Sequence, residues 1–121
     1  MDEWSALNAF WNSFGLDAYD ENTVPDDAEM PYITYQASVG GLDENVMLSA
    51  SLWYRSQSWS DISQKSKQIG NSIGGGIGVS YTGGRLWIVK QIPFATRMSD
   101  PDDTGVRRIL LQVNAEFQSA F

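Results

Sequence analysis

The stretch RILLQVNAEF, residues 108 to 117, alternates apolar and polar side chains more clearly than any other part of the chain. Because successive side chains of a β-strand lie on opposite faces of a sheet, this alternation predicts a strand with one buried face. Its length favours a position at the centre of a sheet, or a strand that crosses a whole assembly. The predicted buried face consists of Ile109, Leu111, Val113, Ala115 and Phe117.

The periodicity changes within LSASLWYRSQSWSDISQKSKQI, residues 48 to 69. Apolar residues alternate up to Tyr54 and lie three or four apart from Trp59 onward, which predicts a strand at 46–55 followed by a helix. The polar corner RSQS joins the two elements, and Ser58 in it is a candidate helix N-cap. We expect the helix to end near residue 73 and to bury one stripe of side chains: Trp59, Ile62, Ser66, Ile69 and Ile73.

The remaining patterns predict a first helix and three further strands. The helix at 2–14 has a stripe of Trp4, Leu7, Trp11 and Phe14, and the strands lie at 31–39, 77–81 and 85–92, the last ended by Pro93. The predicted order is therefore α-β-β-α-β-β-β. We predict an α+β fold in a single domain, residues 1–121, with two helices packed on one face of a mainly antiparallel sheet of four to five strands.

The composition restricts the chemistry that this chain could perform. It contains no Cys and no His, so thiolate nucleophiles, His general bases and the commonest metal ligands are missing. The acidic stretch LDAYDENTVPDDAEM, residues 16–30, lacks the glycine and the ligand spacing of a calcium loop. We therefore expect no catalytic residue, no cofactor and no metal site. With no basic leader and no long apolar run, we also expect synthesis in the cytoplasm and no membrane partner.

Charge and aromatic content favour contacts between copies of the chain. The formal net charge is −7, and residues 1–54 hold ten acids and no Lys or Arg, whereas residues 55–121 hold all eight basic residues. An acidic side of one copy could meet the basic side of the next, and head-to-tail contacts of this kind can close into rings. The 15 aromatic residues include five Trp, and large aromatic side chains are enriched at interfaces.

Three stretches resemble one protein family. They are WSALNAFW…FGLDAYDENTVPDDAEMPYITYQ, LSASLWYRSQSWSDISQK and PFATRMSDPDDTGVRRILLQVNAEF, and together they span nearly the whole chain. They are similar to the tail terminator, or tail completion, proteins of long-tailed bacteriophages, especially those of phages and prophages of Gram-positive bacteria. The similarity follows sequence-family features and contains no catalytic signature.

The resemblance implies a structural role in the virion. Members of this family form a ring, typically hexameric, at the head-proximal end of the tail tube. The ring stops tube polymerisation and provides a surface for joining the tail to the head, so the expected partners are the tail tube protein and the neck proteins. DNA passes through the lumen during ejection, and an acidic chain suits this because phosphates would be repelled.

The candidate interface residues lie opposite the predicted core face of each strand. They are Trp53, Trp87 and Leu110, together with Arg107 and Arg108, which would meet acids of a neighbouring copy. A connector or stopper protein of the neck is the alternative interpretation within the same class. An enzyme that uses two loop carboxylates and a nucleic-acid-binding module are further alternatives, although no acid pair stands out and the basic residues are scattered.

Overall fold

The computed structural model describes residues 1–99 and 102–119 as two helices and six strands. Every bound below refers to that part of the chain. In chain order the elements are α1 Glu3–Asn12, β1 Ala18–Asp20, β2 Tyr32–Tyr35, β3 Asn45–Arg55, α2 Ser60–Ile73, β4 Ile77–Tyr81, β5 Gly84–Met98 and β6 Val106–Ser119.

All six strands belong to one sheet with the order β1-β2-β3-β6-β5-β4. Only β1 and β2 are parallel, and every other pair is antiparallel. The sheet is therefore mixed, and it curls into a half-barrel. The prediction of four to five strands in the order α-β-β-α-β-β-β is wrong, because β1 precedes β2 within the stretch interpreted as a connector. Three residues are too few to produce a detectable alternation.

The core lies on one face of the sheet, between the strands and both helices. The alternating residues of β6 from Ile109 to Phe117 are all buried, as predicted, and β6 lies between β3 and β5 at the centre of the sheet. On α2, Ile62, Ile69 and Ile73 are buried against the same core. Trp59, predicted for this stripe, precedes the helix and is only partly buried.

Helix α1 contacts both edge strands of the curled sheet, β1 and β4. The side-chain amide of Asn12, the last residue of α1, makes two hydrogen bonds to the backbone of Ala18 on β1. Its Nδ2 donates to the Ala18 carbonyl at 3.2 Å, and its Oδ1 accepts from the Ala18 N–H at 3.0 Å. At the other end, the N–H of Thr82 donates to the carbonyl of Met1 at 2.7 Å. The opening of the half-barrel is therefore covered by α1.

The buried side of α1 differs from the predicted stripe. Ala6, Leu7, Phe10, Trp11 and Phe14 are buried, whereas Trp4 is 54% exposed. The buried stripe is broader than the predicted one because it also includes Ala6 and Phe10. Trp4 therefore lies at the edge of the stripe and faces solvent.

Helix α2 begins without the predicted cap. Trp59 occupies the N-cap position and makes no side-chain cap hydrogen bond, while the Ser58 hydroxyl accepts from the N–H of Ser60 at 3.0 Å, within the corner. Further along, Gly70 lies so close to β5 that a Cβ there would stand 3.2 Å from the Phe94 ring. The glycine therefore lets the helix approach the sheet.

Strand β5 is longer than predicted and continues past Pro93 to Met98. Its pairing with β6 is interrupted between Lys90 and Ala95, where the strand bulges. Proline is tolerated there because β4 pairs only with the first part of β5, Gly84–Ile88, so no ladder donor is lost on that side. In the described residues neither helix has the length and apolarity needed to cross a membrane.

Candidate assembly interface

The candidate interface lies on the outer face of the sheet, defined as the face opposite the helices. Residues directly opposite each other in an antiparallel pair share a face, and Trp53 is paired with Arg108, whereas the buried Leu52 is paired with Ile109. The same rule places Leu110, opposite Ser51, on the outer face. Three of the five predicted residues, Trp53, Leu110 and Arg108, therefore lie close together on two neighbouring strands.

Trp53 and Arg108 form a stacked pair that hydrogen bonds hold in place. The guanidinium carbon lies 5.0 Å from the centroid of the indole ring, within the range of a cation–π contact. Trp53 Nε1 donates to the Thr34 hydroxyl at 2.9 Å, and Arg108 Nε donates to the Ser51 hydroxyl at 3.0 Å. The indole of Trp53 and the guanidinium of Arg108 are therefore oriented by strands β2 and β3 before any partner binds.

The other two guanidinium nitrogens of Arg108 make no hydrogen bond or ion pair within residues 1–99 and 102–119. A planar guanidinium with free donors suits a carboxylate, which it can bind with two parallel hydrogen bonds. Arg108 can thus donate to a carboxylate or to a backbone carbonyl of a partner.

A cleft of about 410 Å³ opens beside this pair. The loop after β1 folds over the outer face and contributes one wall, so the acidic stretch that was predicted to be a simple connector helps to build the site. Arg55 and Asp103, which also line the cleft, form an exposed ion pair at 3.4 Å, which contributes little stability at such exposure. The lining residues are Glu21, Val24, Met30, Tyr32, Thr34, Ser51, Trp53, Arg55, Asp103, Val106 and Arg108.

The lining combines the residue types that dominate protein–protein contacts. Trp53 and Arg108 are of the kinds most often found as energetic hot spots, and Val24, Met30 and Val106 add apolar surface. The charges are balanced, with Glu21 and Asp103 against Arg55 and Arg108. We refer to this site as the Trp53–Arg108 cleft.

Trp87 lies on the outer face but far from the cleft. It is paired with Glu116, near the opposite end of β6 from Arg108, roughly 27 Å away along an extended strand. Arg85 stacks on its ring at 5.1 Å and donates to the Gln118 side chain at 2.8 Å. A Cβ at Gly76 would collide with the indole. Trp87 therefore forms a second stacked pair, with Arg85, and its indole packs directly against Gly76.

Arg107 lies on the helix side of β6 and is bound inside the chain. Its terminal nitrogens donate to the carbonyls of Gln57 at 2.7 Å and Thr104 at 2.8 Å. Its guanidinium carbon lies 5.4 Å from the ring centroid of Trp59, and that of Arg97 lies 4.9 Å from the same centroid. The arginine therefore stabilises the corner between β3 and α2. Both of its terminal nitrogens already donate within the chain, and its Nε is buried without a hydrogen-bond partner among the described residues.

Titratable groups with shifted pKa values lie outside the cleft. The N–H of Ser5 donates to the Asp2 carboxylate at 2.8 Å and lowers its pKa, as expected of a helix N-cap. Burial, reinforced by nearby carboxylates, raises the pKa of Tyr19, Tyr54 and Tyr81. Among the described residues no cluster of three acidic side chains could hold a metal ion. The cleft offers a stacked pair, apolar side chains and charged groups as its contact surface.

Comparison of the chain with protein-family models, curated proteins and solved structures finds no match.

Proposed function

We propose that this chain is a tail terminator of a long-tailed bacteriophage. Copies of it assemble into a ring, hexameric by analogy with the family it resembles, at the head-proximal end of the tail tube. The ring stops tube polymerisation and presents the surface to which the neck proteins of the filled head bind. In this proposal the protein is made in the host bacterial cytoplasm, resides in the virion, has no catalytic activity and needs no cofactor.

The observation that carries the proposal is the Trp53–Arg108 cleft, a pre-oriented recognition site in a chain that lacks His and Cys. A tail terminator needs such a surface because it acts only through contacts. The site would meet a neighbouring copy or the tube, since Trp and Arg in a cleft with apolar walls are typical of protein–protein interfaces. The resemblance of the three stretches favours a tail terminator among ring-forming proteins.

The distribution of charge supports head-to-tail assembly. The acids of residues 1–54 include those of the loop beside the cleft, at the β1 side of the sheet, whereas Arg85, Lys90 and Arg97 lie on β5 toward the opposite edge. Each copy therefore has a more acidic and a more basic side. Contacts between unlike sides repeat in one direction around a ring.

The test mixes the purified chain with polymerising tail tube protein and measures tube length by negative-stain electron microscopy. We expect shorter tubes with one capped end, at a molar ratio that fits one ring per tube. Trp53→Ala should cap poorly, and the matched variant Trp4→Ala, which replaces an exposed Trp away from the sheet, should cap normally. An unchanged length distribution at saturating protein would overturn the proposal.

A connector or stopper of the neck remains the alternative function. It shares the expected ring and the absence of chemistry, and differs in the partner bound. Binding to the portal or to neck proteins, with no effect on tube length, would favour it.

A further inference from the structure

The most exposed large apolar side chain described in this structure belongs to Ile92, which is 91% exposed. It lies in the bulge of β5, between Lys90 and Ala95, where pairing with β6 is interrupted. Val89 and Phe94 in the same segment are partly buried and border a shallow hollow with Gly74 and Gly75. We call residues 89–94 the bulge segment. It presents an apolar projection, and the next most exposed large apolar side chain among the described residues, Leu42, is 63% exposed.

The bulge segment also lies on an uncovered sheet edge. Strand β4 pairs only with Gly84–Ile88, so in the described structure no strand lies outside β5 beyond Ile88. Pro93 lacks an N–H, the bulge breaks the regular ladder, and Lys90 adds a charge. These are three devices by which proteins prevent another strand from pairing with an edge. A partner at this edge would therefore bind the side chains and not extend the sheet.

We infer that the bulge segment of one copy inserts into the Trp53–Arg108 cleft of the next copy. The inference rests on the proposed ring and specifies the contact that closes it. Projection and cleft are different surfaces of the same chain, because no bulge residue lines the cleft. A contact of this type is heterologous and repeats from copy to copy, as a ring requires. A cleft of about 410 Å³ is within the range that encloses small ligands, about 300–1,000 Å³, and so has room for the Ile92 side chain and the proline beside it.

The charges of the chain stretches beside the two surfaces are complementary, while within the cleft itself Glu21 and Asp103 balance Arg55 and Arg108. The stretch 17–29, which includes the cleft wall, carries six acids and no basic residue. The stretch 60–98, which includes the bulge segment and the helix packed beside it, carries five basic residues and one acid. Exposed Lys90 and Arg97 flank the projection. Opposite potentials of this kind favour the correct docking orientation and disfavour contact between identical surfaces.

The absence of cysteine from the chain allows a direct cross-linking test. Ile92→Cys and Val24→Cys, the latter in the cleft wall, are prepared as separate variants and oxidised with tail tube protein present. We expect a covalent dimer in the mixture of the two variants and in neither alone. Leu42→Cys, at an apolar position that is 63% exposed, replaces Ile92→Cys in the control mixture and should give none. A dimer from Ile92→Cys alone, or no dimer in the mixture although rings form, would overturn the inference.

A charge exchange gives a second readout. Lys90→Glu and Glu21→Lys should each weaken assembly at least tenfold, measured by native mass spectrometry or light scattering, and the double variant should recover most of the loss. Absence of recovery in a folded double variant would count against the contact. Capped tubes without the cross-link would refute this inference and leave the proposed function intact. Formation of the cross-link together with uncapped tubes would support this inference and refute the proposed function.

Discussion

Trp53 and Arg108 face each other as register partners on β3 and β6, with the guanidinium carbon 5.0 Å from the indole centroid. The two residues are far apart in sequence and on strands that were predicted separately, so only the register of the assembled sheet brings them together. Hydrogen bonds to Thr34 and Ser51 fix both side chains. The outer face therefore presents a stacked pair held in one orientation, and side chains that are already oriented lose little conformational entropy on binding.

We expect Trp53→Ala to weaken assembly more than folding. Trp53 is only partly buried and lies outside the core cluster, so its loss should change the melting temperature by only a few degrees, while the dissociation constant of the assembly should rise at least tenfold, as for an interface hot spot. Thermal unfolding and light scattering measure the two effects. A variant that melts early and still assembles normally would show that Trp53 is not an interface residue.

Asn12→Ala should destabilise the fold by removing both hydrogen bonds to the backbone of Ala18. Loss of two partly buried hydrogen bonds is expected to lower the free energy of unfolding by about 1–3 kcal/mol, measured by urea denaturation. Asn71→Ala on the exposed side of α2 is the matched control, since it changes helix propensity in the same direction. Equal stabilities for the two variants would mean that the Asn12 contacts contribute nothing.

Gly70→Ala tests the close approach of α2 to β5. In a free helix this change would stabilise by about 1 kcal/mol, but the new methyl group would lie 3.2 Å from the Phe94 ring. In the otherwise unchanged chain we expect Gly70→Ala to raise the free energy of unfolding by less than this, or to lower it. In a Phe94→Ala background we expect the same change to raise the free energy of unfolding by more. Chemical denaturation of the four proteins in this cycle measures the coupling. Additive effects would show that the ring moves aside freely.

Stability should decline at alkaline pH through Tyr54. Burial, and secondly the charge of Asp61, raises the pKa of Tyr54 above its ordinary value of 10.0. Because the pKa of Tyr54 is higher in the folded state than in the unfolded state, its contribution to the free energy of unfolding is fully present below about pH 10. That contribution is lost as the pH rises through the folded-state pKa. Tyr54→Phe should therefore flatten the decline of the free energy of unfolding above pH 10, relative to the unchanged chain. An identical pH profile would contradict the assignment.

The sequence predicted the parts of the fold that local periodicity determines. The alternation in β6 identified Ile109 to Phe117 as core, and the three-four spacing identified Ile62, Ile69 and Ile73. It missed β1, whose three residues pair with β2 through backbone contacts and show no pattern of their own. It ended β5 at Pro93, because the tolerance of a proline depends on whether a neighbouring strand needs its N–H, and that is a property of the assembled sheet.

For the candidate interface, alternation indicated which residues of each strand lie on the outer face, but not their neighbours across strands. Register between distant strands separates Trp53 from Trp87. Arg107 and Arg108 lie on opposite faces because successive residues of one strand alternate, which the local pattern alone predicts. The acidic wall of the cleft was missed because the folding of a loop over a sheet leaves no periodic signal. Ile92 was missed because an exposed apolar residue within a strand pattern cannot be distinguished from a buried one.

The central position of β6 has a consequence for folding during synthesis. β6 follows all other described strands in the chain, yet it lies between β3 and β5. A nascent chain can therefore form two separate half-sheets, β1-β2-β3 and β4-β5, and these stay unjoined until the ribosome has translated residues 106–119. Until then each half-sheet exposes the edge that β6 will cover, so the interval before β6 emerges is the stage at which this polypeptide is most vulnerable to misassociation.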